Sequence, residues 1–284
     1  MHTFKERAMH VVFLLTACVS IAAVVLICVF LFANGVPAIA EIGVFRFLLG
    51  TEWRPENNIF GILPMIVGSL YVTAGALLIG VPVGILTSVF LARFCPPKLH
   101  KLLTPAINLM AGIPSVVYGF FGLVVLVPFV REYIGGRGMS VLTASVLLGL
   151  MILPTIINVS ESAIRAVPNS YYEGALALGA THERSVFFTV VPAAKSGIFA
   201  GIVLGVGRAL GETMAVMMVA GNQPLIPDSL TDGVRTLTTN IVMEMGYSTD
   251  LHREALIGTA VVLFVFVLLI NVSFSLLKRR GAKA

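Results

Sequence analysis

The chain has 284 residues, 57% of them hydrophobic and only 12% charged, and its mean hydropathy is +0.97. That balance excludes a soluble domain built from amphipathic stripes, and repeated uncharged runs of about 20 residues or more predict a polytopic membrane protein, because that length crosses the hydrocarbon layer as helix. The formal net charge of +5 needs no nucleic acid to explain it, since the basic residues sort by loop around the apolar runs.

Six spans are predicted, at about 11–33, 62–92, 104–130, 139–158, 197–220 and 255–277. Lys5 and Arg7 precede the first, and Pro37–Ala40 offers a cleavage-like sequence after it. Its apolar core of about 23 residues exceeds the roughly 7–15 of a signal peptide, so a retained anchor is expected. The second run contains Pro64 and Pro82 and is long for a simple crossing. A bend or interfacial entry segment is expected at "LIGVPVG", because proline removes a ladder hydrogen bond and clashes with the preceding turn.

The third run carries "AGIPSVVYGFFGL", Ala111 to Leu123. Pro114 is expected to kink it, while Gly112, Gly119 and Gly122 ease packing. The alternative is a bent, pore-lining helix on which Ser115 or Tyr118 offers hydrogen bonds.

With the amino terminus placed inside, the basic residues Lys5, Arg7, Arg93, Lys98, Lys101, Arg165, Arg184, Lys195, Lys278, Arg279, Arg280 and Lys283 fall on the inner side. Arg46, Arg54, Arg131, Arg137, Arg235 and Arg253 fall outside, with most of the acidic residues. Both termini are therefore expected in the cytoplasm. Cys18, Cys28 and Cys95 show no metal or redox spacing and read as packing residues. No phosphate-binding glycine loop is present in the sequence, so any ATP would be bound by another chain.

Between the fourth and fifth spans lies an inner loop, 159–196, too long to be a mere connector. It reads as two short helices. Pro168 breaks the preceding segment, Ser170 is expected to cap with Glu173 at the third helical position, and Gly179 supplies a left-handed stop. "THERSVFFTVV" forms the second element, ended by Pro192. The bland reading is an amphipathic helix lying on the lipid surface. The other is a docking helix, with Tyr171 and Tyr172 as anchors for a partner's groove.

The fifth span contains "GVGRALGETMAV". On a continuous helix Gly201, Gly205, Arg208 and Glu212 share one face, which places a glycine packing stripe beside an i, i+4 ion pair. Each charge costs about 2.5–3.5 kcal/mol at a helix centre on insertion scales. Either the pair fixes helix packing, or Arg208 offers its planar fork to an oxyanion while Glu212 neutralises it when no anion is present.

Glu173, Ala175, Gly179 and Pro192 resemble the EAA motif of ATP-binding cassette importer permeases, with Gly174, Thr189 and Val191 as departures. "GRALGETMAVMMVAGN", "AGIPSVVYGFFGL" and "FGILPMIVGSL" (Phe60–Leu70) resemble permeases of the phosphate-specific transport system, PstC type, from about residue 58 onward. The resemblance implies an all-α type I importer permease with about six transmembrane helices, divided into a first helix and outer segment, 1–60, and a permease core, 61–284. It implies a bacterial-type cytoplasmic membrane and no enzymatic activity in the chain itself. It further implies a second permease of PstA type, two ATPase subunits that bind ATP and Mg, and an external phosphate-binding protein. Ser170, Tyr171, Tyr172, Glu173, Ala175 and Gly179 would then couple to the ATPases. Arg208 and Glu212 would form the anion pathway or gate, with Gly201, Gly205, Pro114 and Ser115 as packing or pore-lining positions. No metal or cofactor is expected on the chain. A permease for sulfate, molybdate or tungstate is the alternative, although Thr213 and Met214 stand where those carry phenylalanine-glycine. A non-transporting scaffold, and an ion-coupled carrier lacking any visible broken-helix pair, are the more distant readings.

Overall fold

The computed structural model describes the backbone of residues 2–281 and the side chains of residue 6 and residues 9–273. The basic side chains of Lys5, Arg7, Lys278, Arg279, Arg280 and Lys283, on which much of the expected orientation rests, lie outside the described side chains. The described chain is almost wholly helical. Helix α1 (His2–Ile42) contains the first expected span and meets the rest of the chain along α14 (Asp250–Gly281), where Gly35 sits against Gly258 and Val261. Its apolar run from residue 9 is exposed on nearly every side, as a lipid-facing helix requires.

A short helix α2 (Val44–Leu49) and a two-stranded hairpin, β1 (Trp53–Arg54) and β2 (Ile59–Phe60), follow, with Trp53 paired to Phe60. Helix α3 (Leu63–Val89) runs unbroken through Pro82, and a wide π-type turn, Phe90–Phe94, extends it. The bend expected at "LIGVPVG" is therefore absent as a break. Pro82 is exposed whereas Gly80 and Gly84 are buried against Ile152 and Ile156, so the lost bond lies on the open side and packing holds the helix on the other.

Helix α4 (Pro97–Gly112) stands apart from α5 (Ser115–Phe121), which continues through a second wide turn into α6 (Val127–Tyr133). The third crossing is thus 115–133, not 104–130, and Pro114 begins a helix instead of kinking one. Helix α7 (Val141–Arg165), capped by Ser140, is the central element: two thirds of its most apolar window is buried. It continues seven residues beyond the expected end of the fourth span, so the turn into the next helix lies at 166–168.

Helix α8 (Asn169–Ala177), α9 (His182–Ser185), a third wide turn, α10 (Val191–Ala193) and α11 (Lys195–Gly211) follow, with a 68° bend at the α10–α11 junction. After α11 come α12 (Met214–Val219), a loop, α13 (Leu237–Glu244) and α14. Among the described residues, five helices are long and apolar enough to cross a membrane, and six when the bent pair 182–193 and 195–211 counts as one span. Each of the three wide turns ends two residues before a proline: Pro96, Pro128 and Pro192. The carbonyl that each ring would strike, four residues back, lies inside the widened turn, which relieves the clash.

The core follows the same order. α7 is gripped between α3 and α11, where a side chain at Gly201 or Gly205 would crowd Ser160 or Ile156. One apolar cluster joins α3, α5, α7 and α12; a second gathers Phe47, Trp53, Phe60 and Leu256 at the hairpin end; a third joins Val89, Ile164, Val186 and Ile198 near α8.

Candidate functional site

Two helix breaks meet in the middle of the molecule. Gly119 of α5 packs on Ala215 and Met218 of α12, and Gly122 packs on Val219 and Leu147. The motifs around Pro114 and Glu212, about 100 positions apart in the sequence, are therefore neighbours. Tyr118 donates its hydroxyl to the Met110 carbonyl at 2.9 Å, stitching α5 back to α4. That bond occupies the Tyr118 proton, so Tyr118 is a tie across the break. Ser115 is the first residue of α5 and half-buried.

Arg208 lies in the last turn of α11, half-buried, and donates from Nη1 to Thr155 Oγ1 at 3.2 Å. It makes no ion pair with Glu212 or with any other carboxylate among the described residues. The expected i, i+4 pair fails because α11 ends at Gly211: Glu212 turns extended, with ψ 125°, and leaves the helical register that would have stacked it on Arg208. Its Oε1 instead accepts from the Ala215 amide at 3.2 Å, capping α12. Its backbone carbonyl accepts from Thr238 Oγ1 at 3.2 Å, which binds α13 to the same break. Gly201 and Gly205 face Ser160 and Ile156 of α7. The broken helices, absent from the sequence reading, are a pair: α4–α5 and α11–α12.

The second candidate region is α8. Its N-cap is Pro168, so Ser170 is the second helical residue and the expected Ser170–Glu173 capping box does not form. Glu173 and Tyr171 are exposed, whereas Tyr172 is half-buried and bonded through Oη to His182 Nδ1 at 2.8 Å. Tyr172 thus ties α8 to α9, and only Tyr171 remains open as an anchor. Gly179, at φ +83°, ends the helix as expected: its amide reaches Leu176 O and the Ala180 amide reaches Ala175 O, a Schellman closure. The result is a short, closed helix on an exposed surface.

Two charged clusters escaped the sequence reading. At the α8 end, Glu161 of α7 accepts on a single oxygen from Arg165 Nε and faces His100 Nε2 of α4, each at 2.8 Å. Arg165 Nη2 also reaches Leu91 O, and Arg93 reaches Ile164 O and Asn169 Oδ1. At the hairpin end, Glu244 receives Arg235 at 2.6 Å on one oxygen, and Trp53 Nε1 and His252 Nε2 at 2.8 Å on the other. Local spacing links only Glu161 and Arg165, an i, i+4 pair on α7; the other partners are brought in by the fold. For the hairpin-end cluster the signal was the single tryptophan, whose buried N–H requires an acceptor.

The chain matches the model of the family described as "Binding-protein-dependent transport system inner membrane component" over residues 80–283. A "Probable ABC transporter permease protein YqgH" of Bacillus subtilis is 41% identical over 271 residues, covering 91% of this chain and 88% of that protein. A "Phosphate transport system permease protein PstC" of Mesorhizobium japonicum is 35% identical over 261 residues, covering 84% and 80%. Among solved structures, a bacterial ABC transporter involved in import of the acidic polysaccharide alginate superposes with a TM-score of 0.65 at 16% identity, covering 94% of this chain and 96% of that one. The MetNI methionine ABC transporter in an inward-facing form gives 0.58 at 21% identity, covering 78% and 94%. At those identities the likeness shows the fold alone. With the family match across most of the chain, the conclusion is plain: the protein belongs to the binding-protein-dependent transport system inner membrane components and is a PstC-type ABC permease.

Proposed function

We propose that the chain is the permease subunit through which an ATP-driven importer carries inorganic phosphate across the cytoplasmic membrane. The observation that carries this reading is Arg208: a cation at the end of a crossing helix, beside two helix breaks, held only by a threonine hydroxyl. A charge at that depth costs about 2.5–3.5 kcal/mol on insertion scales, and an unneutralised fork there suits a passing oxyanion. The phosphate assignment draws on relatives named as phosphate transport system permeases, at about one third identity.

In this reading both termini face the cytoplasm, and α8 with Glu173 and Tyr171 docks in a groove of an ATPase subunit. ATP and Mg stay on two such subunits, a second permease of PstA type completes the membrane pathway, and an external binding protein delivers phosphate. Closure of the ATPases pulls α8, and a short helix closed by Gly179 passes the motion on instead of absorbing it. Glu212 acts by holding the α11–α12 break, not by neutralising Arg208. Uptake of labelled phosphate into vesicles bearing the whole complex, with sulfate and molybdate as competitors, tests the reading. ATP-dependent uptake that excess sulfate leaves unchanged is the expected result; inhibition by sulfate or molybdate would reassign the substrate.

A further inference from the structure

Helix α4 has no buried residue, so apolar packing does not fix its position against α7. Two polar ties do: His100 to Glu161 near its start, and Asn108 Oδ1, which accepts from Asn158 Nδ2 at 2.9 Å, near its end. The first tie ends on the part of α7 that leads directly into α8. Glu161 is 7% exposed and holds Arg165, whose guanidinium also takes the Leu91 carbonyl, while Arg93 returns the exchange to Ile164 O and to Asn169 at the start of α8. The ends of α3 and α7 and the start of α8 are thus cross-bonded into one body, and His100 joins α4 to it. At its other end α4 holds α5 through the Tyr118–Met110 bond, beside the central breaks.

We propose that His100 is a positioning residue for transport: through Glu161 it makes α4 follow the body that carries α8, so that displacement of α8 reaches the Ile113–Pro114 break. The inference rests on the ATP-coupled function proposed above. Without the His100–Glu161 bond only the exposed Asn108–Asn158 bond, at the far end of α4, would hold that helix on α7 when α8 moves. The imidazole is 27% exposed and the carboxylate 10%, so the bond is shielded without being sealed.

The test uses the whole complex in proteoliposomes, with ATP hydrolysis and phosphate uptake read in the same sample. His100→Ala is expected to assemble and hydrolyse ATP at close to the native rate, while phosphate moved per ATP falls about fivefold or more, the low end of typical coupling between sites. His100→Gln, whose amide can still donate to Glu161, is expected to recover most of that loss. An unchanged ratio in His100→Ala, a ratio that His100→Gln fails to restore, or failure of His100→Ala to assemble would overturn the proposal, the last by making the bond a folding contact. A native complex that hydrolyses ATP without moving phosphate would instead sink the function above, and spin labels then decide for His100. Placed at Leu102 and Leu178, both exposed, after replacement of Cys18, Cys28 and Cys95, they should keep one separation across nucleotide states in the native chain and a broadened one in His100→Ala. Equal distributions would overturn it.

Discussion

The two ends of the molecule use the same three residue types for opposite purposes. At the hairpin end Glu244 spends both oxygens on Arg235, His252 and Trp53, and the three charged or titratable side chains are only 8–15% exposed. At the α8 end Glu161 uses one oxygen for two partners, and Arg165 is 47% exposed. The first arrangement fastens four separate pieces, the hairpin, the loop before α13, α13 and α14, into one rigid cap. The second joins α4, which has no buried residue, to α7 and leaves Arg165 at the solvent edge. Burial decides the difference, since an ion pair sealed from water is expensive to break while an exposed one is replaced by hydration.

That contrast is broken most forcefully at Glu244. Glu244→Ala strands the Arg235 charge and the Trp53 N–H together, and should cost about 3–5 kcal/mol, seen as a large fall in the thermal midpoint of the purified chain. A midpoint close to native would show that the hairpin end is not sealed. Trp53→Phe keeps an aromatic ring but removes the N–H donor and one of the two fused rings, and a loss of about 1–3 kcal/mol in the same assay is expected. Gly179→Ala forces a side chain into the left-handed region at the end of α8; about 1–2 kcal/mol of local destabilisation should appear as faster amide exchange confined to α8. Glu161→Gln is the mildest, with a change in global stability of no more than about 1 kcal/mol, because Arg165 can turn to water. If it unfolds the chain as Glu244→Ala does, the two clusters are equivalent and the distinction falls.

The apolar runs were legible because hydrophobic length is a local property: the first and last spans fall within a helix, and the second and fourth overrun one by no more than two residues. The others failed for a physical reason. Gly211-Glu212-Thr213 contains no proline, and its apolar flanks read as one continuous helix, yet Glu212 gains more as a cap for α12 than as a helical neighbour of Arg208. Conversely Pro82 and Pro192 read as a bend and a stop yet sit inside helical runs, because packing holds the helix at Pro82 and a widened turn absorbs Pro192. Gly179 was predictable since a left-handed stop depends on one residue. The Glu244 cluster was not, because Trp53 and Glu244 stand 191 positions apart and only the fold brings them together.

The most direct measurement is ATP-dependent phosphate uptake by the complete complex in vesicles, comparing the native chain with Arg208→Gln at matched assembly. Loss of about tenfold or more with ATPase subunits still bound is the result predicted for a guanidinium on the anion's route. Unchanged uptake would make Arg208 a packing residue bonded to Thr155 and would contradict the account.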